Sequence, residues 1–253
     1  MVEHSPACDT TKRQIVTEMT PWNLFAVPST ARRADGDGLP AFLQRMYSPN
    51  QLKHLVFVVV LREPLARMQS DYYMVLNGDA AVRKSVNNKS FKDLVDYSIT
   101  SMGRNATMLT AVDEAFDRRV NFTLMKSQYA RQLADWTMKF SPSQFVIIVS
   151  EQYQADARAA CKVVSTAVSY SLDCRNAKQR VQVNHREHNS LDRDLPRETR
   201  EAFRALMRKD YENLVKLLAN MHAGGAKIVG YKGKSEASAV GPWLRALWYA
   251  KSR

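Results

Sequence analysis

The chain has 253 residues, of which 45% are hydrophobic, and its 37 Lys and Arg against 25 Asp and Glu leave a net charge of +12. This length and apolar content allow a substantial core and exclude a chain that is disordered throughout. The longest apolar run, Leu55 to Leu61, is far shorter than the roughly 20 residues of a membrane-spanning helix. We therefore expect membrane association only through a segment absent from this sequence.

The excess of cations favours an anionic partner, which could be a nucleic acid, a nucleotide, a membrane surface or an acidic glycan. Charge alone does not choose among these. No nucleic-acid-binding module is recognisable, and no stripe of Lys and Arg alternates with aromatic residues, so a nucleic acid is the weaker expectation. His185 and His188 lie close together without a third ligand nearby in the sequence, so no metal is expected.

The cysteines and the sequons bear on the compartment. Cys8, Cys161 and Cys174 are too few for a disulfide framework or a paired zinc site, and they allow one bridge at most. Whether Cys161 pairs with Cys174 stays open. Asn-x-Ser/Thr sequons occur at Asn88, Asn105 and Asn121, and these possible glycosylation sites are a hint of a secretory compartment.

The first predicted elements precede a strong strand signal. Residues 1–13 are polar, and we expect residues 14–250 to form one domain because no linker-like stretch divides them. Residues 14–18 predict a short strand. The run Leu55 to Leu61 is rich in β-branched residues and apolar at both alternating sets of positions, which predicts a central strand covered on both faces.

Helices and strands alternate along the chain. Pro64 ends the strand, and apolar residues recur at helical spacing from Leu65 to Leu76. A second buried strand is predicted at 145–149. Further helices are predicted at about 39–47, 90–100, 107–119, 127–140, 156–168, 195–221 and 242–249. The alternation predicts an α/β fold, a single three-layer domain with a central, mainly parallel sheet flanked by helices.

The turn after the first strong strand has the chemistry of an anion site. Ligands of open α/β sheets bind beyond the carboxyl ends of the strands, where the next helix offers free N–H groups. Arg62 stands at that place, and its planar fork can hold a phosphate by two bonds. Ser70, two turns along the helix, can add a hydroxyl donor. The alternative is an ordinary surface turn with a solvated arginine.

The wider motif consists of Arg62-Glu63-Pro64, then Arg67, then Ser70-Asp71-Tyr72. It resembles the 3′-phosphate-binding strand-turn-helix of sulfotransferases that use 3′-phosphoadenosine 5′-phosphosulfate (PAPS), and it is most similar to the Golgi enzymes that N- or 3-O-sulfate heparan sulfate glucosaminyl residues. The resemblance implies a sulfotransferase fold related to P-loop NTPases. It also implies PAPS as donor without a metal, Arg62 and Ser70 on the 3′-phosphate, an anionic or sulfated glycosaminoglycan acceptor, and the Golgi lumen.

Other segments follow the order of that family. Residues 17–25 resemble its Glu-Lys-Thr/Ser-Pro-x-Tyr-Phe stretch, and residues 127–151 resemble a passage with Tyr, Leu, Trp and Phe before a strand. Residues 183–188 resemble the Lys-Gly-Arg-x-His turn that wraps the nucleotide, so the resemblance assigns nucleotide binding to Arg186. Asn184 and His185 stand where Lys and Gly are usual.

Two parts of the family pattern are absent. A Gly/Lys/Thr-rich loop for the 5′-phosphosulfate should precede residue 14, and a carboxylate base for the acceptor should follow it; neither is found, so no catalytic residue is assigned. Two functions stay open. One is a PAPS-dependent carbohydrate sulfotransferase whose chain is N-terminally incomplete. The other is a non-catalytic or truncated relative that only binds a nucleotide or an anionic glycan.

Overall fold

The computed structural model describes residues 38–76, 89–101, 123–177 and 191–249. Several sequence predictions lie outside these ranges. They are the strand at 14–18, the helix at 107–119, the three sequons at Asn88, Asn105 and Asn121, and Arg186, to which the resemblance assigns nucleotide binding.

The described residues form an α/β fold with a three-strand parallel sheet flanked by helices, as predicted. The strands are β1 (Phe57–Leu61), β2 (Phe145–Val149) and β3 (Lys227–Ile228), in the order β1-β2-β3. β1 pairs with β2 from Phe57 opposite Phe145 to Leu61 opposite Val149. The carboxyl ends of these two strands therefore lie side by side.

The helices surround this sheet. In chain order they are α1 (Leu39–Met46), α2 (Pro49–Leu52), α3 (Pro64–Leu76), α4 (Phe91–Ser101), α5 (Tyr129–Thr137), α6 (Ser150–Ala155), α7 (Ala157–Ala167), α8 (Leu191–Asp194), α9 (Arg197–Leu206), α10 (Arg208–Ala223) and α11 (Ala237–Tyr249). Two 3₁₀ turns, Pro142–Gln144 and Cys174–Asn176, complete the described elements.

The main core lies on one face of the sheet. It contains the inward residues of β1 and β2 together with buried side chains of α5, α10 and α11. Leu61 and Val149, the paired last residues of their strands, are fully buried there. Phe57 packs its ring against Trp136 and Phe140 at centroid distances of 5.2 and 4.6 Å. This packing holds α5 against the N-terminal end of β1.

The opposite face of β1 differs from the prediction. α7 covers Val146 and Ile148 of β2, but Val58 and Val60 of β1 remain 45% and 59% exposed. β1 is also an edge strand of the described sheet, and the central strand is β2. The prediction of a second buried strand is confirmed by β2. Within the described residues, the prediction of a doubly covered central strand is wrong for β1, because α7 follows β2 and packs over that strand instead.

The predicted helix at 195–221 is two helices. α9 ends and α10 begins at Met207, whose φ of −84° and ψ of −1° interrupt the helical repeat. The break lets the two helices pack into different hydrophobic clusters. Phe203 and Met207 pack with α3 and α4, whereas Leu214 and Leu218 pack against the sheet. α10 stops at Ala223, directly before Gly224 and Gly225, and Gly225 has a φ of +96° that disfavours any side chain.

A disulfide joins Cys161 of α7 to Cys174, with their Cα atoms 5.6 Å apart. The bond closes a loop of 13 positions in sequence and holds the 3₁₀ turn Cys174–Asn176 against α7. Disulfides of this kind persist in oxidising compartments. Within the ranges described above, no helix is both long and apolar enough to cross a bilayer.

We predict that replacing both bonded cysteines, Cys161→Ser with Cys174→Ser, lowers the free energy of unfolding by about 3 kcal/mol, because the unfolded chain regains the entropy of a loop of this length. Urea unfolding of the oxidised protein and the variant measures the difference. The Cys8→Ser variant is the control for loss of a thiol. Equal stability of all three proteins would show that the bridge contributes nothing.

Candidate functional site

Arg62 and Ser70 lie on one strand-turn-helix unit. β1 ends at Leu61, Arg62 follows immediately and is partly buried, and α3 begins at Pro64. Ser70 lies on α3 and is exposed. Arg62 therefore stands at the carboxyl end of a parallel strand, as predicted.

Glu63 occupies the N-terminus of α3. Its Oε2 accepts a hydrogen bond of 2.6 Å from the backbone N–H of Ala66, and the N–H of Leu65 also faces the carboxyl group. The expectation that the first turn of this helix offers free N–H groups is thus wrong at these two positions. A carboxylate is well placed there because the helix dipole is positive at this end. An anion at this turn must be held by side chains.

A second acidic residue arrives from the neighbouring strand. Glu151 follows the end of β2, and its Oε1 accepts a hydrogen bond of 3.2 Å from the backbone N–H of Glu63. The other oxygen, Oε2, is buried and has no hydrogen-bond partner in the described ranges. The parallel pairing of β1 with β2 is what brings these two residues together.

Burial dominates the electrostatics of Glu63. The side chain is 5% exposed, and loss of water raises the pKa of its carboxyl group to about 7. The two backbone N–H groups and the charge of Arg204 oppose that rise, and the charge of Glu151 adds to it. Glu63 is therefore partly protonated at neutral pH.

Tyr129 is a buried neighbour of Arg62. It begins α5, is buried, and its hydroxyl faces the backbone N–H of Arg62. Burial raises the pKa of this phenol well above its usual value, so it stays neutral. The guanidinium of Arg204, on α9, lies over the ring of Tyr249, 4.4 Å from its centroid.

The residues near Arg62 are of two kinds. Arg62 itself was predicted, whereas Glu63, Glu151, Tyr129 and Arg204 were not assigned to a site. Glu63 had a visible signal, because an acidic residue before a proline at a strand end is a natural helix cap. No sequence signal pairs Arg204 with this turn, since the contact arises only when α9 packs near α3.

The side chains at this edge of the sheet are suited to binding an anion. A guanidinium and a hydroxyl can hold an oxyanion, while Glu63 is engaged in capping and Glu151 in bonding the same turn. In the part of the chain that the structure describes, no three His, Cys, Asp or Glu side chains form a metal-binding group.

Comparison with known proteins adds no relative. No family model matches the sequence, and no curated protein matches it significantly.

We predict that Glu63→Gln prevents the decrease in the free energy of unfolding that occurs in the original protein as the pH rises through 7. The folded-state pKa of Glu63 is raised from 4.5 to about 7, so its contribution is fully present below pH 4.5 and is lost as the pH rises through 7. The amide stays neutral and its oxygen can still cap α3. At pH 8 the variant should therefore be more stable than the original protein by about 1–3 kcal/mol.

Urea unfolding at pH 5 and pH 8 tests this prediction. Glu212→Gln makes the same change at an exposed position of α10 and serves as the matched control. If Glu63→Gln and Glu212→Gln shift stability equally at both pH values, the buried carboxyl group has no special role.

Proposed function

We propose that this protein is sulfotransferase-like and holds the 3′-phosphate of PAPS, or of the product nucleotide, with Arg62 and Ser70. The observation that supports this most is the position of Arg62, which directly follows Leu61 at the carboxyl end of a parallel strand and precedes α3. Ligands of open α/β sheets bind at this edge. The proposal rests on the sequence motif and on this placement together.

Partial burial suits Arg62 to phosphate binding. A guanidinium that keeps contact with solvent can receive a ligand, and reduced hydration strengthens its two charge-assisted bonds. Ser70 supplies a neutral donor from the exposed side of α3. By resemblance, Arg186 would contact the nucleotide as well.

The acidic neighbours affect an anion at Arg62. Glu63 and Glu151 would repel it if both carried full charge, but burial keeps Glu63 partly protonated near pH 7. Because the carboxyl group already caps α3, the phosphate would depend on side chains more than on the helix N-terminus. Loss of a single side-chain donor should therefore weaken binding strongly.

The acceptor in this proposal is an anionic or sulfated glycan of the glycosaminoglycan type. A net charge of +12 favours such a partner through long-range attraction that salt screens. The Cys161–Cys174 disulfide accords with an oxidising compartment, for which we propose the Golgi lumen.

A second candidate is binding without sulfate transfer. Residues 1–13 contain no Gly/Lys/Thr-rich loop for the 5′-phosphosulfate, and Met19 replaces the Lys of the family's Glu-Lys-Thr-Pro stretch. Transfer requires cations on the leaving phosphate and a base on the acceptor. The residues that we assign hold the donor and supply neither.

We predict that Arg62→Ala weakens binding of 3′-phosphoadenosine 5′-phosphate roughly tenfold to hundredfold, the value of one charge-assisted hydrogen-bonding group. Arg62→Lys should fall between the two proteins because it keeps the charge and loses the fork. Isothermal titration calorimetry measures all three, and Ser70→Ala should show a smaller loss.

Two controls make this test specific. Lys139→Ala removes one exposed cation before β2, at the opposite ends of the strands, and should leave the affinity unchanged. Adenosine 5′-monophosphate lacks the 3′-phosphate and should bind equally weakly to the original protein and to Arg62→Ala. Unchanged affinity of a folded Arg62→Ala protein for the bisphosphate would refute the assigned site.

We also predict that this chain alone transfers little or no sulfate from PAPS to heparan-type acceptors. The physical reason is that the assigned residues, Arg62, Ser70 and Arg186, hold the donor and neither neutralise the bridging oxygen nor take the acceptor proton. Radiolabelled sulfate incorporation is the measurement, with an active glycosaminoglycan sulfotransferase as positive control. Transfer at the rate of that enzyme would show that the chain contains the complete catalytic machinery.

A further inference from the structure

A cavity of about 320 Å³ lies among α9, α10 and α11, and its lining also includes Pro64 at the start of α3 and Tyr129 at the start of α5. Arg62 and Ser70 are not part of its lining. The volume is in the range of sites for small molecules. This cavity is thus distinct from the proposed phosphate contact.

Aromatic rings form much of the wall. Tyr129, Tyr211, Trp248 and Tyr249 all line the cavity. The ring centroid of Tyr211 is 5.8 Å from that of Trp248 and 6.5 Å from that of Tyr249, so the rings adjoin without stacking closely. These ring pairs are tilted by 57° and 46°, and such rings offer aromatic faces and edges against which a flat aromatic ligand can pack.

Three arginines line the same cavity. Arg208 and Arg245 are exposed at the rim, and Arg204 is partly buried over the ring of Tyr249. Two donors on lining residues, Nε of Arg204 and Nε1 of Trp248, are buried and have no hydrogen-bond acceptor among the residues described. A ligand with acceptor oxygens would satisfy such donors.

The acids of the cavity are already engaged. Glu201 accepts a hydrogen bond of 2.7 Å from Arg197, and Asp210 faces the backbone N–H groups that begin α5, with Ala130 at 3.5 Å. Burial also raises the pKa of Asp210 to about 6. The three arginines outnumber Glu201 and Asp210, so the lining carries a surplus of positive charge.

From these observations we propose that the cavity binds a planar aromatic anion. Its ring would pack against the tyrosines and Trp248, and its acidic oxygens would accept from the arginines. Carboxylate, sulfonate and phosphate monoester groups share this chemistry, and only the aromatic ring and the negative charge are specified.

The probe is 2-naphthoate, added to the full chain with its disulfide intact and followed by calorimetry. We expect it to bind at least tenfold more tightly than 2-naphthamide, which lacks the charge, and than cyclohexanecarboxylate, which lacks the flat ring. Naphthalene-2-sulfonate and 2-naphthyl phosphate then show which acidic group is preferred. Equal binding of 2-naphthoate and 2-naphthamide would overturn the proposal.

Matched variants locate the site. Arg208→Gln and Arg245→Gln alter exposed residues, and each should weaken 2-naphthoate binding at least fivefold. Lys209→Gln removes the same charge next to Arg208 but does not line the cavity, so it should change the affinity less than twofold. If both arginine variants bind as the original protein does, the cavity is not the site.

A competition experiment separates this site from the nucleotide site. Saturating 3′-phosphoadenosine 5′-phosphate should leave 2-naphthoate binding within twofold, because the two ligands contact different residues. Full displacement would place both in one site and overturn the proposal of a separate one. Failure of the nucleotide to bind would refute the proposed function and leave the cavity test valid.

Discussion

Parallel pairing of Leu61 with Val149 determines which side chains can meet at the candidate site. Both strands end at the same edge, so the chain continues into Arg62 and Glu63 beside Ser150 and Glu151. The N–H of Glu63 then reaches the Glu151 carboxylate. A slip of one residue in either strand would turn the side chains of that strand to the opposite face. Two fully buried residues at the end of the ladder oppose such a slip.

The acids and cations at this edge set its capacity to hold an anion. A buried carboxyl group is costly when charged, and Glu63 reduces that cost by capping α3 and by taking up a proton near neutral pH. The same capping removes N–H groups that a phosphate could have used. Anion binding at this turn, in our proposal, is therefore a property of the Arg62 side chain more than of the helix dipole.

The sequence predicts the elements whose pattern is strong and local. β2 and α3 follow from a β-branched apolar run and from a proline followed by helical spacing. β3 has only two residues, Lys227 and Ile228, too few for any periodicity to be visible. The break at Met207 carries no glycine or proline. It is explained by packing, since α9 and α10 face different cores.

The residues of the candidate site likewise divide into those that local sequence predicts and those that only the tertiary fold brings together. Arg62 was predictable because its position depends on one strand end and the following turn. The neighbours Tyr129 and Arg204 come from distant parts of the chain, and no local signal announces that they will pack there. Glu63 is intermediate, because its capping role is local but its raised pKa depends on burial by the whole fold.

Glu63 also connects the two proposed sites electrostatically. Burial raises the pKa of Glu63 and the charge of Arg204, a cavity residue, opposes that rise. Burial also raises the pKa of Tyr249, and the charge of Glu63 adds to that rise. An anion bound at Arg204 would offset that positive charge and so favour the protonated form of Glu63. By linkage, a proton on Glu63 would favour an anion in the cavity to the same extent. Protonation also reduces the negative charge beside Arg62, which counteracts the direct repulsion between anions held at the two sites.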